Sequence, residues 1–150
     1  MRVLVVDDNE LVLEVAKSAL CAAGFEVIAS DSALGFSAAL AESRPDVALV
    51  DVLMPALNGN HLVDLARRRQ RRRRTAIPKR HGSPECIFVL HSNLPESDLQ
   101  ELTRRCGALG YIQKSPRPGE LGVQLHEFLR RHGIDSPSAE PLSNERKTRR

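Results

Sequence analysis

Short apolar runs alternate along this chain with longer stretches in which apolar residues return every three or four positions. Val3 to Val6 is an unbroken apolar run of strand length, and Leu11, Val12, Val15, Ala16, Ala19 and Leu20 after it repeat at helical spacing. Gly24 follows where a helix ending near Ala23 needs a residue that tolerates a left-handed conformation. The alternation then repeats. Phe25 to Ala29 is the second predicted strand, and Ser32 can cap a helix carrying Leu34, Ala38 and Leu40 up to Ser43. Arg44-Pro45 ends that helix, because proline disfavours helix in the residue before it. Val47 to Val50 is the third strand and Ile87 to Leu90 the fourth. Between them Leu62, Leu65 and Ala66 mark one face of a helix whose apolar stripe stops where the arginines begin. Pro95 suits the first position of the next helix, with Leu99, Leu102 and Cys106 on its apolar side and Gly107 closing it. Tyr111 and Ile112 anchor a short fifth strand. Glu120 to Arg131 is the last helix, with Leu121, Leu125, Phe128 and Leu129 inward and Gly133 as terminator. Strands alternating with helices in this way predict an α/β fold around a parallel sheet.

With 150 residues there is room for one ordinary α/β domain, and the Ser, Pro and charge that fill residues 134–150 are expected to be disordered. Aromatic residues are only 3% of the chain, so the core must be aliphatic and base-stacking platforms are scarce. The apolar run after Met1-Arg2 stops at Asp7-Asp8, too soon for a signal peptide or a membrane span, and a cytoplasmic protein is expected. Cys21, Cys86 and Cys106 have neither metal-site spacing nor the even number of a disulfide framework.

Charge adds a feature that periodicity does not. Arg67, Arg68, Arg69, Arg71, Arg72, Arg73, Arg74, Lys79 and Arg80 place nine cations together, with no acid between Asp64 and Glu85. Without those nine, the other 13 Lys and Arg stand against 19 Asp and Glu, a net −6 for the rest of the chain. The stretch of about residues 67–84 is thus a basic insertion in an acidic body. It is either a solvated loop or an arm for an anionic partner, which could be an acidic protein, nucleic acid or an anionic membrane surface. No aromatic residue interleaves the arginines and no helix-turn-helix follows, so sequence-specific nucleic-acid binding is poorly supported, and a contact would be driven by phosphates.

Parallel α/β sheets bind ligands at the carboxyl ends of their strands. Asp7 and Asp8 follow the first predicted strand, Asp51 follows the third, Ser92 comes just after the fourth and Lys114 just after the fifth. Three carboxylates converging there would repel one another without a cation, and hard oxygen ligands suit Mg²⁺. A carboxylate oxygen could then attack a phosphoryl donor while the metal and a lysine ammonium neutralise the transferred group, with a hydroxyl such as that of Ser92 on the phosphoryl oxygens. An Asp-Asp-Asn-Glu loop after the first strand would repel the phosphate of a flavin, which argues against a flavin binder.

The stretches Val5-Val6-Asp7-Asp8, Asp51-Val52-Leu53-Met54-Pro55 with Gly59, Ser92, and Gly110-Tyr111-Ile112-Gln113-Lys114 together resemble the receiver domains of two-component response regulators, over roughly residues 1–133. The resemblance implies a flavodoxin-like, doubly wound, five-stranded parallel sheet with helices on both faces. It makes Asp51 the phosphoacceptor and Asp7 and Asp8 the acidic metal pair, with Asp8 ligating Mg²⁺ alongside Asp51 and the backbone carbonyl of Leu53. Ser92 becomes the switch hydroxyl, Tyr111 the aromatic that changes rotamer with it, and Lys114 the phosphate-binding lysine. The implied partners are a histidine kinase or phosphotransfer protein upstream and a downstream protein, and the implied function is a single-domain switch with weak self-hydrolysis, not an enzyme. Two positions depart from the pattern: Asn93 stands where the family has a small residue, and Ser115 intervenes between Lys114 and Pro116. They motivate the alternative of a receiver-like interaction module that works without phosphate.

Overall fold

The computed structural model describes residues 1–54, 61–68 and 85–137. The strands are β1 (Arg2–Val6), β2 (Glu26–Ser30), β3 (Val47–Val50), β4 (Ile87–Ser92) and β5 (Gly110–Gln113). They form one sheet in the order β2-β1-β3-β4-β5, and every neighbouring pair is parallel. The helices are α1 (Glu10–Ala22), α2 (Ala33–Glu42), α3 (residues 61–68), α4 (Glu96–Cys106) and α5 (Leu121–Arg131), the last preceded by a single 3₁₀ turn, Pro118–Glu120.

Strand residues alternate between the two faces, which divides the core in two. Val3, Val5, Val47, Leu49, Val89 and Ile112 pack under α1 and α5. Leu4, Val6, Ala48, Val50, Phe88 and Leu90 pack under α2, α3 and α4. Burial on both faces explains why β1, β3 and β4 read as continuous apolar runs. Strand order reverses between β1 and β3, so the crevice there lies at the carboxyl ends of strands that lead into Asp7 and Asp51.

The elements match the expected series, with shifts of a residue or two at several ends. The buried faces of three helices are turned from those expected. Leu13 joins Ala16 and Leu20 inside α1 while Leu11 is 72% exposed, and Phe36 is the buried residue of α2 while Leu34 is 83% exposed. In α3 the buried residues are Leu62, Val63 and Ala66, and Leu65 faces outward. These helices carry apolar residues around much of their circumference, so spacing alone does not select the face. Pro95 precedes α4 instead of opening it. Gly107 ends that helix at φ +69, where a Cβ would strike the guanidinium of Arg67.

The stretch expected to be disordered begins in contact with the domain. Ile134 packs against the α1–α5 core and its N–H donates to the carbonyl of Leu129 (3.0 Å), and Ser136 meets His126 Nδ1 at 2.8 Å. His126 Nε2 reaches the carbonyl of Ala23 (2.9 Å), which ties this exit segment to the end of α1. The rest of that stretch, residues 138–150, and most of the basic insertion, residues 69–84, lie outside the described residues.

Candidate functional site at the carboxyl edge of the sheet

The sheet's own ladder extends past its strands to hold the polar residues. The N–H of Asp51 donates to the carbonyl of Val6 (2.9 Å), that of Asp7 to Ser30 (3.1 Å) and that of Lys114 to Ser92 (2.9 Å). Asp7 and Asp51 each fold back on the following turn, accepting from the N–H of Asn9 (3.0 Å) and of Leu53 (3.1 Å) respectively. Asn9 in turn caps α1 by accepting from Leu11 and Val12, so the helix start and the acidic loop position each other.

Asp7 and Asp51 are buried, whereas Asp8 is exposed. A ligand oxygen from each of the three can be chosen so that all lie within 4.8 Å of one another. Lys114 Nζ donates to Asp7 Oδ2 (2.6 Å) and to Asp51 Oδ2 (3.0 Å). Burial works against the Lys114 ammonium, but the hydrogen bonds to Asp7 and Asp51 outweigh it and raise its pKa above that of an ordinary lysine. Three carboxylates against one ammonium leave two formal negative charges, which one divalent cation with oxygen preference would balance. The donor set therefore fits a hard metal ion.

Ser92 is the last residue of β4 and fully buried, and its Oγ has no hydrogen-bond partner among the described residues. Tyr111 is half-buried on the same face of the sheet; its hydroxyl donates to Glu96 Oε1 (2.7 Å) and receives Gln100 Nε2 (3.3 Å). Leu53 follows the acidic site with its side chain exposed. Asn93 is also exposed, and with Lys114, Ser115 and Pro116 it lines one side of a pocket of about 320 Å³ whose other walls come from α1 and α5. His91 borders the same pocket and is buried; burial first, then the nearby Lys114 charge, lowers its pKa to about 4, against a smaller opposing pull from Asp51.

The sequence model of the response regulator receiver domain matches residues 3–126. This chain belongs to that family. Among similar proteins are the phosphate regulon transcriptional regulatory protein PhoB of Pseudomonas aeruginosa, 31% identical over 87% of this chain and 52% of that protein, and the DNA-binding response regulator MtrA of Mycobacterium tuberculosis, 31% identical over 95% and 55%. The chain thus spans about half the length of the curated relatives it matches. In fold it is similar to the chemotaxis protein CheY4 of Vibrio cholerae, with a TM-score of 0.68 at 23% identity over 87% of this chain and 96% of that one. The receiver family is a signalling module, and no helix among the described residues is long and apolar enough to cross a membrane.

Within this receiver domain Asp7, Asp8, Asp51 and Lys114 stand together, and Ser92 and Tyr111 lie on the adjoining strands. Arg67 and Arg68, the first members of the expected arm, are helical. Arg67 donates to the carbonyl of Cys106 (3.0 Å), so its charge serves the end of α4 instead of standing free, and Arg68 pairs with Asp64 one turn earlier. Sequence reasoning missed Glu96 and Gln100, the partners of Tyr111. Their spacing marks one side of a helix, but only the packing of α4 on β5 brings that side to the phenol.

Proposed function

We propose that this chain takes a phosphoryl group on Asp51 from a histidine kinase or phosphotransfer protein in the cytoplasm and signals by altering the surface it offers to a downstream protein. In the step proposed, an Asp51 carboxylate oxygen bonds to phosphorus as the P–N bond of the donor phosphohistidine breaks, and the freed imidazole leaves. Asp7, Asp8, Asp51 and the backbone carbonyl of Leu53 would hold Mg²⁺, which when bound supplies positive charge to the phosphoryl oxygens. Lys114, held between Asp7 and Asp51, is within a short swing of the same oxygens and would follow the new charge.

One observation carries this reading. A buried hydroxyl left without a partner costs about 1–3 kcal/mol, and Ser92, at the end of the strand beside Asp51, has none among the described residues. A phosphoryl oxygen arriving on Asp51 would supply the missing partner, with Tyr111 responding on the same face. The alternative of a module working without phosphate rested on Asn93 and Ser115. The exposed placement of Asn93 gives that alternative no support.

Residues 1–133 are proposed as the receiver unit, acting as a switch and not as an enzyme with a free substrate. The DNA binding and transcriptional roles in the relatives' names belong to proteins about twice as long. Arg68, Arg69, Arg71 to Arg74, Lys79 and Arg80 are proposed to contact an acidic partner through charge.

Labelling with acetyl phosphate, measured by intact-protein mass spectrometry in Mg²⁺ and in chelator, tests the assignment. Wild type should gain one phosphoryl group in Mg²⁺ only, and Asp51→Asn should lose at least about tenfold of that labelling, a difference of about 1.4 kcal/mol or more in the barrier. Undiminished labelling of Asp51→Asn would sink it.

A further inference from the structure

Glu96 takes no part in the acidic cluster, yet it holds the residue best placed to respond to it. Its carboxylate accepts the hydroxyl proton of Tyr111 at 2.7 Å, and Gln100, one turn along α4, lies 3.4 Å from the same carboxylate oxygen and 3.3 Å from the phenol oxygen. Three side chains thus close a small polar triangle over the outer surface between α4 and β5.

The position of this triangle gives it leverage. Leu90 pairs with Tyr111 and Ser92 with Gln113, so Tyr111, Gln113 and Ser92 project from one face of the sheet. The loop that leaves Ser92 is tied to β5 twice, by Gln113 Nε2 donating to the carbonyl of Leu94 (2.9 Å) and by Tyr111 donating to Glu96 at the start of α4. A shift of Ser92 towards Asp51 pulls on that loop and hence on both ties. Only the second is made to an ionised acceptor, and charge-assisted hydrogen bonds are the stronger kind.

Resting on the reading of Asp51 and Ser92 given above, we propose that Glu96, supported by Gln100, is a positioning residue that latches Tyr111 outward and so sets how readily the site passes to its phosphorylated arrangement. A group that favours only the resting arrangement lowers the population of the other by its differential interaction, and removing it raises that population in proportion.

The chain allows a direct measurement, because Tyr111 is the only tyrosine and there is no tryptophan. Its ultraviolet absorption and emission therefore report on this residue alone. Gln100's hydrogen bond lowers the phenol pKa, but the hydrogen bond and charge of Glu96, together with burial, reverse this and leave it raised. In full-length Glu96→Ala the tyrosinate titration followed by absorbance should move to lower pH. In the same variant the initial rate of labelling by acetyl phosphate with Mg²⁺ should rise about threefold to tenfold, the upper figure corresponding to about 1.4 kcal/mol. Glu96→Gln, which keeps an acceptor but loses the charge, should fall between the two. Adding Glu96→Ala to Tyr111→Phe should have no further effect on the rate, since the latch acts through the phenol.

An unmoved tyrosine titration, or labelling of Glu96→Ala at the wild-type rate, overturns the latch while Asp51 phosphorylation stands. A wild type that accepts no phosphoryl group overturns the underlying reading and the latch with it. An equal rate gain from Glu96→Ala in the Tyr111→Phe background shows that Glu96 acts by another route and likewise overturns the proposal.

Discussion

The two faces of the sheet are held by different means. On one, α1 and α5 approach so closely that a Cβ on Gly122 would lie 2.5 Å from the side chain of Ala23 and 2.8 Å from the backbone carbonyl of Ala19. Here Leu121, Leu125, Phe128 and Leu129 meet Leu13, Ala16 and Leu20, and Phe25 packs on the tilted ring of His126 with ring centres 4.6 Å apart, the Nε2 of His126 adding a polar tie to the carbonyl of Ala23. On the other face the core beneath α2, α3 and α4 is also apolar, but its rim is fastened by side-chain hydrogen bonds: Tyr111 to Glu96, Gln113 to Leu94 and Arg67 to Cys106. Close packing has one solution, whereas polar ties can exchange partners at little net cost. Ser92 and Tyr111 stand on the face whose ties can be exchanged. A switch built there can move without opening the α1–α5 core.

Breaking the comparison on its rigid side gives the largest effect. Leu125 is fully buried, so Leu125→Ala should cost about 2–5 kcal/mol through lost transfer energy and the cavity left behind. Tyr111→Phe, which removes a hydroxyl bonded at the rim, should cost no more than about 1 kcal/mol. Urea unfolding compares the two. A Tyr111→Phe protein as destabilised as Leu125→Ala would mean that the rim is as rigid as the core, and the contrast between faces would fail.

A second effect lies on the α1–α5 side of the site. His91 titrates near 4 in the folded chain because burial, and after it the Lys114 ammonium, disfavour its charged form. In the unfolded chain it takes up a proton near 6.5, so between these values the unfolded state binds more protons than the folded state. Stability from this group is therefore complete above about 6.5 and is lost as pH falls towards 4, by about 3 kcal/mol in all. His91→Val should remove that share of the acid sensitivity while the carboxylates keep theirs. If unfolding free energies of the two proteins stay parallel from pH 7 to 4, His91 is not the buried neutral group described.

These contrasts also mark what a linear sequence makes legible. Strands β1, β3 and β4 were readable because burial on both faces turns them into continuous apolar runs, and Asp7 and Asp51, which close the first two, came with them; the edge strands β2 and β5 are only partly buried and were read from shorter apolar stretches. The inward faces of α1, α2 and α3 were less readable, since Leu11, Leu34 and Leu65 are as apolar as the residues that are buried. Local spacing sees composition, but the choice of face is made by the partner element. The same limit hid Glu96 and Gln100, whose bonds to Tyr111 join residues 15 and 11 positions apart through the packing of α4 on β5. It also hid the division inside the basic run. Nine like charges in one acid-free stretch give no sign that one of them serves a helix end.

That division yields the smallest effect and the finest test. Arg67 is partly buried and donates to a carbonyl in the last turn of α4, where unpaired acceptors and the negative end of the helix dipole both favour a cation. Its guanidinium occupies the space over Gly107 that a side chain there would need. Arg68, one residue on, makes an exposed pair with Asp64 at 2.8 Å with its side chain 72% exposed. Arg67→Ala should therefore cost about 1–2 kcal/mol, for a charge-assisted hydrogen bond and the packing of its stem. Arg68→Ala should cost only a few tenths of a kcal/mol, as exposed pairs one turn apart do. Raising the salt concentration should shrink the Arg68 effect further and leave most of the Arg67 effect in place, since the less exposed contact is screened less. Equal and salt-sensitive losses in urea unfolding would return Arg67 to the solvated run. Unequal ones would remove Arg67 from the cations proposed to contact a partner.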